Sequence, residues 1–282
     1  MTKKIGPAPP LRVIARIDIR QRRAIKPVRY DGFRQVGEPN DLAAEYAQKG
    51  CDEILFLDAV ASLFGTENLK NRIHEFRRGL SIPVSAGGGV RSVRDAVNLL
   101  HQGADKIVLN SSAVADPTLI SDIAREIGSQ SCCLLVEAKP VSSGGHLATV
   151  QGATSITAWQ ATEWALRGRD LGAGEIFLVH VDKYGTQKGL DLDLAASVVA
   201  SVDCPVIASG GFSHELDSGL ALTQAGVAGV AIASALHFDK VDPFRLREQW
   251  MTATEAADAR HSPEYTGNAS VGIQLSEVRR AQ

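Results

Sequence analysis

The feature that most constrains the fold is an internal repeat at a spacing near 122 residues. CDEILFLD around Glu53 corresponds to AGEIFLVHVD around Glu175, and IPVSAGGGV around Pro83 to CPVIASGGF around Pro205. Both pairs lie 122 apart. GADKIVLNSSAV from Gly103 matches GVAGVAIASALH from Gly226 at 123, and the run ending at Asp18 matches the one ending at Glu137 at 119. A half-length repeat implies one architecture made of two equivalent halves rather than two unrelated domains.

Each half contains four short apolar runs. The first has LRVIARID (11–18), EILFLD (53–58), IPVSAG (82–87) and DKIVLN (105–110). The second has SCCLLVE (131–137), EIFLVHV (175–181), CPVIAS (204–209) and GVAIAS (229–234). Helical-period segments separate them, such as 41–50, 92–103 and 116–128. Asp116 and Pro117 supply a start signal there, and Gly50, Gly103 and Gly128 supply stops. Continuously apolar strands alternating with helices form a parallel sheet covered on its outside. Eight such units in 282 residues predict an α/β fold, a single (β/α)8 barrel with a pseudo-twofold half-barrel repeat. The domain spans 1–282, with halves of about 11–128 and 129–240. Residues 241–282 are left for a final helix, through 242–260 or 275–280, and a tail. The segments around 19–39 and 138–157 do not fit compact βα units. Trp159 and Trp164 are expected to pack on the helix before Gly172.

Composition excludes several functions. Thirty Lys and Arg balance 32 Asp and Glu for a net charge of −2, which gives no electrostatic footprint for nucleic acid or an anionic membrane. No apolar run approaches the roughly 20 residues that span a bilayer. MTKKIGPAPPLR at the start is basic but lacks the apolar stretch of a secretory signal. Cys51, Cys132, Cys133 and Cys204 form no CxxC pair and suit reduced thiols in a cytoplasmic protein. The seven histidines show neither HxH nor HExxH spacing, so no metal is expected.

Barrels of this kind carry reactive groups at the C-terminal ends of their strands. The repeat supplies two candidate anion cradles there. One is Gly87-Gly88-Gly89 with Asn110-Ser111-Ser112; the other is Ser209-Gly210-Gly211 with Ala233-Ser234. Glycines let backbone N–H groups approach phosphate oxygens, and helix N-termini favour the charge. Tight βα turns need the same glycines, but the cradle reading explains why both occur one unit before a Ser-containing strand end. Two cradles imply a long substrate with a phosphate at each end. Asp18 and Glu137 end strands that face each other between them, where two carboxylates work as general acid and base if their pKa values are pushed apart. Lys26 can hold a carboxylate ionised, bind phosphate or be a surface lysine. Asp58 and Asp182 end matching strands and serve either the scaffold or the substrate. At the opposite end, Arg12, Glu53, Lys106 and Glu175 start four strands. Inward-facing charges at a barrel floor must pair, so these four close a salt-bridge ring, either as a plug or as a gate.

With these residues in place, the sequence resembles the cyclase subunit of imidazole glycerol phosphate synthase, a (β/α)8 barrel of histidine synthesis. The resemblance runs from about Leu11 to His237. It rests on IARIDIR, VGEPNDLAAEYAQKGCDEILFLD, AGGGVRS, GADKIVLNSSAVADPTLI, GAGEIFL, GTQKGLDLDL and PVIASGG. It implies that Asp18 and Glu137 are the acid and base. It implies that Gly89, Asn110, Ser111, Gly185, Gly210, Gly211, Ala233 and Ser234 hold phosphates. It also implies that the floor ring borders the docking face of a glutaminase subunit whose ammonia rises through the barrel, which favours the gate. No cofactor or metal is called for. The sequence departs from the family at several positions. Glu137 stands where Asp is usual, Tyr184 replaces an Asp before Gly185, and Val179 replaces a Thr. Arg16 takes a small-residue position, and Pro27 replaces a Gly. These departures are similar to paralogues found with surface-polysaccharide genes, so ammonia delivery for acetamidino-sugar synthesis is the alternative reading.

Overall fold

A computed structural model describes residues 10–59, 61, 69 and 72–261. The first half contains strands β1 (Arg12–Arg20), β2 (Arg23–Val28), β3 (Asp31–Gly37), β4 (Glu53–Asp58), β5 (Val84–Gly87) and β6 (Lys106–Leu109). The second contains β7 (Cys132–Pro140), β8 (His146–Val150), β9 (Ser155–Gln160), β10 (Glu175–His180), β11 (Val206–Ser209) and β12 (Gly229–Ile232). Eight of these run parallel in the order β1-β4-β5-β6-β7-β10-β11-β12. The sheet closes where β12 pairs β1, with Val13 opposite Val230. The chain is a (β/α)8 barrel.

Strand parity divides the apolar residues into two cores. Ile14, Leu55, Val108, Cys133, Phe177, Ile207 and Ala231 point inward and fill the barrel. Alternate residues such as Val13, Ile54, Leu134 and Ile176 point outward and pack under the helices. The same parity fixes the polar positions. Glu53, Leu55 and Leu57 share one face, as do Cys133, Leu135 and Glu137, so charged residues at strand starts meet on the floor and carboxylates at strand ends meet at the mouth.

The helices form where capping and periodicity coincide. Ser92 accepts from the Asp95 N–H at 3.1 Å and Asp95 accepts from the Arg91 N–H at 2.9 Å, which fixes the start of the helix Val93–His101. Asp116 accepts from the Thr118 N–H at 3.0 Å ahead of the helix Thr118–Ile127. The helix Pro243–His261 takes the eighth position and packs on Gly219–Gln224. There Gly219 passes so near Trp250 that a Cβ would lie 2.7 Å from its Cα. The other candidate, 275–280, lies outside the described residues. Trp164 is buried on the helix Ala161–Asp170 as expected, but Trp159 belongs to β9 and is partly exposed, because the helix starts two residues later.

The segments that fit no βα unit are two hairpins in equivalent places. β1 and β7 are each nine residues long and outrun the barrel rim. Beyond it β1 pairs antiparallel with β2, and β7 with β8. Asp18 sits opposite Ile25, and Glu137 opposite Thr149. Each mouth carboxylate therefore lies where a barrel strand exchanges its partner for its own hairpin.

Candidate active site at the barrel mouth

Two glycines shape the mouth by the same contact. Gly88 and Gly210 lie 122 apart in sequence and have φ of +99° and +93°. A Cβ on either would stand 2.6 Å from a carbonyl oxygen, that of Asp58 or of His180, so only glycine fits. The turns after β5 and β11 are thus drawn tightly over the ends of β4 and β10.

The first cradle opens into a cavity of about 580 Å³. Gly88, Gly89, Asn110, Ser111 and Ser112 line it together with Asp18, Asp58 and Glu137. Asp58 also has a scaffold duty, accepting from the Ala61 N–H at 3.0 Å. Gly185, Ser209, Gly210, Gly211, Ala233 and Ser234 line a separate space of about 20 Å³, little more than one water molecule. Lys26 and Tyr184 also border it. The buried Ser234 hydroxyl and Lys26 ammonium have no hydrogen-bond partner, which is the unmet demand an anion would satisfy. Asp182 lines neither cavity; Arg29 donates to its backbone carbonyl at 3.1 Å.

A cluster of cations and phenols separates the two spaces. Arg16 is buried and donates from Nε to Asp18 at 2.9 Å and from Nη2 to the Tyr30 hydroxyl at 3.3 Å. Its guanidinium lies 4.4 Å from the centre of the Tyr184 ring, and Lys26 Nζ lies 3.2 Å from the same centre on its way to Asp18, 3.8 Å off. Tyr184 donates to Asp18, and the rings of Tyr30 and Tyr184 are 4.7 Å apart. The turn between β2 and its antiparallel partner β3 brings Tyr30 here. Arg29 and Tyr30 both have positive φ, 52° and 64°, as a two-residue turn between antiparallel strands requires. The Arg29 N–H donates to the Tyr184 carbonyl at 2.8 Å.

The two carboxylates are tuned in opposite directions. Burial pushes Asp18 up, but Arg16, Lys26 and the Tyr184 hydrogen bond outweigh it and hold the carboxyl below its usual range. Burial wins at Glu137 and raises its pKa, although Tyr30 and Asn110, the latter donating at 3.0 Å, favour its ionised form. Burial also drives the Lys26 ammonium well below the usual lysine range, against the attraction of Asp18. One carboxylate is poised to accept a proton and the other to give one.

At the floor, Lys106 bridges Glu53 and Glu175 at 2.8 Å each, and Arg12 bridges the same two at 3.4 Å for Glu53 and in closer contact for Glu175. The four charges form a closed alternating ring. Ser85 donates to Glu53 as well, and the Cys133 thiol lies 3.9 Å from Glu175. The paired carboxylates outweigh burial and raise the Lys106 pKa.

The sequence reading missed Tyr30, and it registered Arg16 and Tyr184 only as departures. Parity with Asp18 was the available signal for Arg16, since residues 16 and 18 of one strand share a face. The Asp31-Gly32 pair beside Tyr30 was a hairpin signal.

A family profile described as histidine biosynthesis protein matches residues 12–242. The chain is 45% identical to imidazole glycerol phosphate synthase subunit HisF of Legionella pneumophila over 201 residues, which cover 71% of this chain and 95% of that protein. It is 39% identical over 237 residues to the HisF subunit of Metallosphaera sedula, covering 84% and 93% of the two chains. The HisF subunit of Mycobacterium tuberculosis is 40% identical over 234 residues, covering 81% of this chain and 87% of that protein. The barrel and these matches together show that the chain belongs to the histidine biosynthesis protein family.

Proposed function

We infer that the chain is the cyclase subunit of an imidazole glycerol phosphate synthase, a lyase-type enzyme. In this reading ammonia adds to a bisphosphorylated phosphoribulosyl-formimino aminoimidazole carboxamide ribonucleotide. Cleavage and ring closure then release imidazole glycerol phosphate and an aminoimidazole carboxamide ribonucleotide. The observation that carries it is the opposed tuning of Asp18 and Glu137 beside a glycine-rich cradle in one cavity. Asp18 acts as base and Glu137 as acid. One phosphate lies on Gly89, Asn110 and Ser111; the other lies on Gly185, Ser209, Gly210, Gly211, Ala233 and Ser234, with Lys26 alongside. Fixing both ends orients the reacting centre over the carboxylates and makes the reaction effectively unimolecular. Asp58 contacts substrate from the first side, while Asp182 serves the turn that carries Arg29.

The partner in this reading is a glutaminase subunit docked on the N-terminal face of the barrel, with Arg12, Glu53, Lys106 and Glu175 as the gate for its ammonia. No helix among the described residues is long and apolar enough to cross a membrane, which suits a cytoplasmic enzyme. Steady-state assay of the purified protein with the bisphosphate and ammonium tests the reading, together with rescue of a histidine auxotroph. Turnover and rescue are expected; their absence in the unmutated protein would overturn it.

A further inference from the structure

Three residues distant in sequence converge outside the barrel. His146 lies on β8, His180 ends β10, and Asp191 caps the helix Leu192–Ser201. His180 and His146 direct their Nε2 atoms at the same oxygen, Asp191 Oδ2, at 3.3 and 3.6 Å. One ligand atom from each residue falls within a sphere of contacts no wider than 4.8 Å. The geometry points to a site for one divalent transition-metal ion of the zinc type, held by His146, His180 and Asp191 with an open fourth position.

The spacing is compatible with a shared metal ion. Nitrogen–oxygen hydrogen bonds run at about 2.7–3.2 Å, shorter than both contacts. Tetrahedral ligands about 2.0–2.1 Å from a zinc ion stand roughly 3.4 Å from one another, which matches the two histidine–aspartate contacts, and all three ligand atoms lie within 4.8 Å. The donor set, two imidazoles and a carboxylate, is one that zinc accepts with a water in the remaining place. The site is also held in place beforehand. Asp191 Oδ1 accepts from the Leu194 N–H at 3.0 Å, so Oδ2 is fixed toward the histidines. His180 is largely buried, so its ring is held in place by the chain around it.

Binding has a structural consequence. The Lys183 N–H now donates to His180 Nδ1 at 3.2 Å, so the neutral ring carries its proton on Nε2. A metal on Nε2 moves that proton to Nδ1, and the Lys183 N–H must turn to another acceptor. Lys183 precedes Tyr184 and Gly185, so the ion ties the β8–β9 hairpin to the turn that closes the second cradle. This site is independent of the cyclase reading.

The test uses the full chain freed of metal by chelation and dialysis, then titrated calorimetrically with zinc chloride. Expected is saturable binding of about one equivalent, weakened about tenfold or more in His146→Ala and in Asp191→Asn. Asparagine caps a helix as well as aspartate, so the second variant keeps the fold. Cobalt substituted for zinc should show the intense visible absorption of a tetrahedral site, and zinc should raise the melting temperature of the unmutated protein only. No saturable binding overturns the proposal. So does binding that both variants retain, because the ion would then lie elsewhere, or a weak octahedral cobalt spectrum.

Discussion

Tyr184 donates its phenolic hydroxyl to the carboxylate of Asp18, so a residue of the turn after β10 is anchored to the proposed base at the end of β1. The contact serves two physical purposes. The hydrogen bond favours ionised Asp18, and the ring fills the space between the two anion cradles. Tyr184→Phe removes only the first, Tyr184→Ala removes both. Phenylalanine should raise the Asp18 pKa and move the acid limb of the pH–rate profile upward while leaving KM near its original value. Alanine should also lower KM for a bisphosphate, because about 20 Å³ is too small for a phosphate until the ring withdraws. An unchanged KM in the alanine variant would show that the ring does not limit the second cradle.

Asp18→Asn and Glu137→Gln should each lower kcat by about 10² to 10⁴, the usual contribution of general acid–base catalysis, with ammonium supplied directly. Glu137→Asp is the finer probe. Shortening the side chain withdraws it from Asn110 Nδ2, now 3.0 Å away, so turnover should fall here despite the retained carboxylate. Activity equal to the unmutated protein would mean that reach at this position is unimportant.

The fold was legible because its signals are periodic. Eight apolar runs and a 122-residue repeat leave few architectures besides one closed barrel. Floor charges and mouth carboxylates followed from strand starts and ends. The rest was not legible because it depends on contacts between segments without a period. Tyr30 reaches the site only because two residues of positive φ turn β2 into β3 beside Arg16. His146, His180 and Asp191 show no ligand spacing in sequence because three separate elements bring them together. Nor could spacing reveal that Asp58 lines the cavity while Asp182 does not, as one packs against Gly88 and the other joins the turn bound by Arg29.

Arg16 shifts both limbs of the pH dependence, against the larger effect of burial. Its charge lowers the pKa of both Asp18 and Glu137. A base works above its pKa and an acid below its own, so activity spans a window from below the ordinary aspartate value of 3.8 to above the ordinary glutamate value of 4.5. Arg16→Ala should move both limbs of the profile to higher pH. Asn110→Ala removes a hydrogen bond to ionised Glu137 alone and should raise only the alkaline limb. Matching profiles from kcat/KM measurements of the two variants would contradict these assignments.

The floor ring gives the last expectation. Lys106 closes the alternation by holding Glu53 and Glu175 at 2.8 Å each, and above the ring the interior is packed with Ile14, Phe177 and Ile207. In the proposed docking, ammonia from the glutaminase meets the four charges first, whereas ammonium from solution reaches the mouth directly. Lys106→Ala leaves both glutamates with Arg12 as their basic partner and opens one side of the ring. Glutamine-dependent turnover by the reconstituted complex should therefore change about tenfold more than ammonium-dependent turnover, equivalent to about 1.4 kcal/mol. Melting temperatures measured in parallel separate this from loss of fold, since unfolding lowers both activities together. Equal changes in a folded variant would make the ring a structural plug, and a selective change makes it a gate.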